Sequence, residues 1–324
     1  MSNDSLSKTR GRVGVSGSDL TVYACSVHTH TNLCDGKATP EEMAKTACAM
    51  GVKYYGFSGH SYTDCVSDRG NVLPFEPDEY KKRVLKLREE YENRDENRME
   101  ILLGIEMDNL SPMKIPPDGF DYWIGSVHHL IDNNLNNNNL INNNLDNNNL
   151  IDNKNSNKNI NREYAVDWDR EKFIICRDEL FHGDVYAFAE EYYKQVGDMA
   201  EKKPDILGHF DLITKYNEDK SLIDENNLRY KTAALENLKR ADINKSLLEI
   251  NTGAMARGYR TKPYPADFIL KAWREMGGRI IITADAHAPD KIVYGYDIAL
   301  ESAKNAGFRE SAVLTRSGVV MCKI

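Results

Sequence analysis

The triplet His28-Thr29-His30 is where donors of metal-binding type first crowd together in this chain. Residues i and i+2 of an extended strand point the same way, so both imidazoles can converge on one ion at the end of the apolar run 22–27. Asp35 follows in a Cys-Asp-Gly turn, and a second run, 54–58, delivers His60 just past its end. Further on, Glu106 closes run 99–105, His128 follows 122–127, His209 follows 205–208, and Asp285 and His287 follow 279–283. Six of the eight histidines and three carboxylates therefore stand at the ends of strand-like runs. A single such histidine is usually a hydrogen-bonded structural residue, and Glu106 or Asp285 alone is more often a cap or an ion-pair partner. His129 and His182 keep that plain reading; the other six, with their carboxylates, form a pattern that chance explains poorly. Imidazole and carboxylate without thiolate suit Zn²⁺, Mn²⁺ or Fe²⁺ rather than Ca²⁺ or an iron–sulfur cluster. Nine donors are too many for one ion; if one carboxylate bridges, they fit three divalent ions with positions left for water and substrate.

The elements that must position these groups are legible in outline. Thr39, Pro40 and Glu42 predict a capped helix start, and Gly51 its end. Helical spacing of Tyr80, Val84, Leu87 and Tyr91 predicts a helix over 79–91. Further helices are expected over 184–202, 227–241, 266–276 and 298–305, with strands at 247–250 and at the C-terminus. Seven strands alternating with helices predict an α/β parallel barrel, whose strand ends gather on one face. Residues 1–20 read as a mobile polar leader and 21–324 as one barrel domain. Two stretches interrupt it. Residues 61–82 form a polar loop long enough to cover a site mouth, where Asp64 or Glu76 could attract an amino group. Residues 132–161 are asparagine-rich, with leucines at a spacing of five that matches neither helix nor strand. They are expected to be a disordered insertion in a surface loop.

Composition narrows the partners. A net charge of −8 and the lack of a basic stripe argue against nucleic acid. The six cysteines form no CxxC pair, so reduced thiols in a cytoplasm are the expectation. No secretory signal and no apolar run of membrane-spanning length is present, so no membrane partner is expected. Triad, P-loop and dinucleotide motifs are missing. Oligomeric state is left open.

The motifs V-H-T-H-T with C-D-G, G-F-S-G-H, G-I-E-M-D, G-S-V-H-H, G-H-F-D-L and A-D-A-H-A-P resemble, in order over residues 21–305, the PHP (polymerase and histidinol phosphatase) superfamily. The similarity is strongest to its monofunctional histidinol-phosphatase branch, to which N-T-G followed by Y-P adds. The resemblance implies a distorted (β/α)7 TIM-like barrel, the PHP fold, here with a low-complexity loop insertion, and a trinuclear centre. His28, His30, Glu106 and Asp285 would hold one ion. Glu106 would bridge to a second, completed by His128 and His209. Asp35, His60 and His287 would hold the third. Either Arg257 or Arg260 stands where the family's phosphate-binding arginine falls, and Lys215 is the nearest equivalent of a second basic residue.

The implied reaction is hydrolysis of L-histidinol phosphate to L-histidinol and phosphate in histidine biosynthesis. Paired cations lower the pKa of a shared water and neutralise the phosphoryl oxygens, so in-line attack by a bridging hydroxide is expected. Asp35, Glu106 and His209 are the catalytic candidates, with Asp35 or a metal-bound water protonating the leaving oxygen. The alternative is a phosphoesterase of the same superfamily acting on nucleotides or another small phosphomonoester.

Overall fold

The computed structural model describes residues 21–61, 77–111, 116, 118–131 and 163–324. The leader, the loop carrying Asp64, Cys65 and Glu76, and the asparagine-rich tract lie outside the described residues. The strands are β1 (Cys25–Ser26), β2 (Tyr54–Phe57), β3 (Glu100–Asp108), β4 (Tyr122–Ser126), β5 (His129–Ile131), β6 (Glu163–Ala165), β7 (Ile206–Leu207), β8 (Leu247–Asn251), β9 (Arg279–Thr283), β10 (Glu310–Thr315) and β11 (Gly318–Lys323). The helices are α1 (Pro40–Ala49), α2 (Pro77–Glu92), α3 (Arg170–Phe181), α4 (Val185–Glu201), α5 (Leu228–Leu238), the single turn α6 (Gly253–Ala256), α7 (Asp267–Glu275) and α8 (Tyr296–Asn305).

Seven strands, β1, β2, β3, β4, β7, β8 and β9, lie side by side in that order and all run parallel. The sheet curls until its two ends meet. Just past β1, Thr29 bridges Ala286 just past β9: His30 N–H donates to the Ala286 carbonyl at 2.8 Å, and Ala286 N–H to that of His28 at 3.0 Å. Earlier along β9 its free edge is taken by β10, through Ala312 and Ile281, and β11 folds back antiparallel on β10. The closure is thus made at the mouth, between the two segments that carry H-x-H and D-x-H.

The strands are apolar through their length and polar at their ends. Ile101, Leu102, Leu103 and Ile105 on β3, and Ile280, Ile281 and Ile282 on β9, are buried, as parallel strands covered on both faces require. Toward the C-terminal ends the buried residues become Glu106, Asp108, Glu249, Asn251 and Thr283. Helix α1 starts as expected, with Thr39 Oγ1 accepting Glu42 N–H at 3.2 Å and Glu42 Oε2 accepting Thr39 N–H at 2.9 Å. Gly51, at φ 83°, ends it in the left-handed region.

The run 22–27 is not one strand. Val22–Ala24 form a 3₁₀ turn, with Ala24 N–H donating to Thr21, and only Cys25 and Ser26 pair with β2 before the chain turns to its other neighbour, Ala286. The sequence reading also passed over α3 and the antiparallel pair β5–β6. His182, at φ 51°, caps the C-terminal end of α3. Among the described residues no helix is long and apolar enough to cross a membrane.

Candidate metal centre

The closed mouth gathers all nine donors singled out from the sequence. His28, His30 and His209 are buried, Glu106 is 1% exposed, and Asp35, at 34% of its side chain, is the most open. Glu106 is the hub. Its Oε2 lies 3.3 Å from His28 Nε2, 3.4 Å from His30 Nε2 and 3.1 Å from His60 Nδ1. Its Oε1 accepts the Ser126 hydroxyl at 2.6 Å and lies 3.0 Å from His209 Nε2 and 3.5 Å from His128 Nε2. Asp285 Oδ1 lies 3.6 Å from His28 Nε2 and 3.3 Å from His30 Nε2. Asp285 itself adopts φ 47°, an unfavourable backbone for a side chain with a Cβ, of the sort found where a site dictates the conformation. On the outer side, Asp35 Oδ1 lies 3.4 Å from His30 Nδ1, while its Oδ2 lies 3.5 Å from His60 Nε2 and 3.0 Å from His287 Nε2.

Three overlapping groups could each hold an ion: His28, His30 and Glu106; His60, Glu106 and His128; and His30, Asp35, His60 and His287. The first group meets a physical test. His28 Nε2, His30 Nε2 and Glu106 Oε2 are buried and have no hydrogen-bond partner among the described residues. Orphaned buried polar atoms each cost roughly 1–3 kcal/mol. With Asp285 Oδ1 they stand 3.3 to 3.6 Å apart over the four contacts just given. Two ligands about 2.0 Å from a tetrahedral ion are about 3.3 Å apart, so these four contacts have the spacing that a zinc-sized cation asks of its ligands.

The electrostatics point the same way. Burial works against charge throughout, yet Glu249, Glu106 and Asp285 raise the pKa of His28 to about 10. Asp35 and Glu106 likewise bring His60 to about 9. Burial favours neutral carboxyls, but His28, His60 and His128 hold Glu106 well below the usual carboxylate range, and Arg257 and His28 do so for Asp285. His60 and His287 keep Asp35 low against its own desolvation.

The basic candidates separate in space. Arg257 reaches the cluster, its Nη2 donating to Asp285 Oδ2 at 3.0 Å and its Nη1 3.0 Å from His287 Nδ1. Arg260 Nη1 donates instead to the Thr214 carbonyl at 2.7 Å. Lys215 is buried, its Nζ donating to the Asp167 carbonyl at 2.5 Å and Oδ2 at 3.1 Å.

Three acidic residues escaped the sequence reading. Asp108 Oδ2 accepts the His128 N–H at 3.0 Å and lies 2.8 Å from His128 Nδ1. Its position two residues after Glu106, on the same strand face, was an available signal. Glu249 lies 2.5 Å from His28 Nδ1, and an acid inside the apolar run Leu-Leu-Glu-Ile was the available sign. Asp167, the partner of Lys215, carried no sequence signal. His129 sits on β5 with Nδ1 3.6 Å from Asp108.

Known proteins resemble this chain over most of its length. A protein of Schizosaccharomyces pombe named "Probable histidinol-phosphatase" is 22% identical over 292 residues, covering 85% of this chain and 84% of that protein. One of the same name from Deinococcus radiodurans is 23% identical over 294 residues, covering 88% and 94%. Among solved structures, the histidinol phosphate phosphatase of Lactococcus lactis, crystallised with zinc, L-histidinol and phosphate, superposes with a TM-score of 0.61 at 19% identity, over 91% of this chain and 98% of that one. At such identity this last likeness speaks for the fold. The sequence pattern of the PHP domain matches residues 26–253, from β1 to the end of β8 and the first residue of α6, and the chain belongs to the PHP domain family.

Proposed function

We propose that this protein hydrolyses L-histidinol phosphate to L-histidinol and phosphate, as a phosphoric monoester hydrolase of histidine biosynthesis. The observation that carries this reading is the barrel mouth, where six imidazoles and two further carboxylates gather around Glu106, with Arg257 reaching Asp285 and His287 at the rim. The relatives' names and the Lactococcus lactis complex support the choice of substrate.

In this reading three divalent ions, zinc, manganese or iron, occupy the mouth, held as the family resemblance allots them. Bound there, they would supply a nucleophilic hydroxide near neutral pH and neutralise charge on the phosphoryl oxygens. Glu106 presents its two oxygens to different imidazole groups, the arrangement a bridging ligand needs. His60 stands between the groups, one ring nitrogen toward Glu106 and the other toward Asp35. Arg257 grips the phosphate, since it is the basic candidate that already reaches the donor cluster. Asp35 acts as a ligand rather than the acid of the leaving oxygen, because a carboxyl held low by His60 and His287 is an acceptor. A reducing, cytoplasmic setting agrees with Cys25, Cys34, Cys48, Cys176 and Cys322, which are free.

Phosphate release from the zinc- or manganese-replete full chain decides the matter, with L-histidinol phosphate beside nucleotides and p-nitrophenyl phosphate. The expected result is a strong preference for histidinol phosphate that chelation abolishes. Metal-dependent release from the nucleotides instead would overturn the substrate and keep the site.

A further inference from the structure

Of the seven barrel strands, β8 alone ends without one of the nine donors, and what it carries instead is Glu249, buried inside the barrel. A carboxylate removed from water is costly unless both oxygens are engaged. Here both are. Oε1 lies 2.5 Å from His28 Nδ1 and accepts the Thr283 hydroxyl at 2.6 Å. Oε2 accepts the His209 backbone N–H at 2.6 Å and the Asn251 amide at 3.0 Å. Four donors fill the acceptor capacity of the group. With a carboxylate at that distance, His28 carries its proton on Nδ1. In the neutral ring that a metal needs, the Nε2 lone pair then faces Glu106 and Asp285, where that atom is buried with no hydrogen-bond partner among the described residues.

We propose that Glu249 is the positioning residue of the metal centre. It selects the tautomer of His28 and, through the His209 backbone, ties a donor on the opposite side of Glu106 to the same anchor. His28 faces Glu106 Oε2 and His209 faces Oε1, so one buried carboxylate sets the spacing of the two halves of the site. Asp108 does a narrower version of this for His128 alone. The inference rests on the nine donors holding ions, as proposed above.

Zinc is the probe. In the zinc-loaded wild type with ¹⁵N-labelled histidine, long-range proton–nitrogen spectra should show His28 protonated at Nδ1 and metallated at Nε2; the reverse tautomer overturns the proposal. Glu249→Gln offers one acceptor oxygen and a donor amide, so one pair of its four partners must face a donor. Competition with a chromophoric chelator should then show zinc held about 10–100-fold more weakly, with the loss spread over more than one ion, and Asp108→Asn should weaken fewer. A Glu249→Gln protein that melts earlier yet holds zinc as the wild type does would make the residue merely structural and sink the proposal. If Glu249→Gln does not fold, the wild-type spectrum still decides. Wild-type protein that takes up no zinc overturns the metal reading itself, a result distinct from a loaded wild type and an unimpaired variant.

Discussion

Arg257, Arg260 and Lys215 carry the same charge, and only their contacts tell them apart. A charge-assisted hydrogen bond to an anion contributes about 1.5–3 kcal/mol, so losing the residue that grips phosphate should cost roughly 10–100-fold in kcat/KM. Arg257→Ala is expected to show that loss, mainly through KM. Arg260→Ala should show less, since its Nη1 points to the Thr214 carbonyl rather than to the donor cluster. Steady-state kinetics on the two variants check this, and equal losses would remove the distinction. A second expectation concerns protons. In the metal-free protein His28 has its pKa raised to about 10 and His60 to about 9, so both are cations at neutral pH. A metal ion needs the neutral ring, so loading should release protons and metal affinity should climb as pH rises toward that range. The same raised values stabilise the metal-free fold below the ordinary histidine pKa of about 6.5, a contribution lost as pH passes through 9 to 10. The melting-temperature gap between loaded and metal-free protein should therefore widen with pH. Calorimetric titration in buffers of different protonation enthalpy gives the proton count, and identical apparent enthalpies would contradict it.

At the scale of elements, the donors depend on how sharply each strand stops. The Cys-Asp-Gly turn after β1 presses against the chain it came from. A Cβ on Gly36 would lie 2.5 Å from the backbone carbon of His30 and the backbone nitrogen of Thr31. No side-chain rotation relieves that clash, so Gly36→Ala must move the turn, and Asp35 with it. The expected outcome is weakened binding at the outer group of His30, Asp35, His60 and His287, with the ions nearer Glu106 retained. Metal content after gel filtration, set beside the wild type, tests this. Unchanged stoichiometry and activity would mean that the turn yields without displacing Asp35. This dependence on strand ends is also why the site was legible before the fold. A histidine at the end of an apolar run announces itself locally, and six such cases were visible one by one. Glu249 stands out locally only as an acid in an apolar run; its role was hidden, because its partner His28 lies 221 residues away and only the curled sheet brings them together. The helix α3 was missed because its apolar residues make only a weak stripe, with Phe173 and Cys176 alone fully buried.

For the whole molecule, the question is how a barrel tolerates a long asparagine-rich interruption beside its metal centre. The answer lies in what flanks it. The strands β5 and β6 pair antiparallel, His129 with Ala165, Leu130 with Tyr164 and Ile131 with Glu163, and Val166 N–H donates to the His128 carbonyl at 2.8 Å. The two ends of the interruption are therefore held side by side by backbone hydrogen bonds that do not depend on what joins them. An antiparallel pair can be closed by a turn of a few residues, and lengthening such a connection adds only about 0.6 kcal/mol per doubling. This pairing went unseen because its halves are separated by the tract, and no local pattern links them. The pair also adjoins His128 through its backbone, while the His128 ring is held by Asp108 rather than by the connection. Replacing residues 133–160 with a four-residue turn is thus expected to leave zinc stoichiometry, kcat and KM for L-histidinol phosphate within about twofold of the full chain. Unfolding stability should rise slightly, by the closure entropy removed. A large rise in KM with kcat preserved would show instead that the tract contributes to substrate capture, and the connection would then have to be counted as part of the mouth.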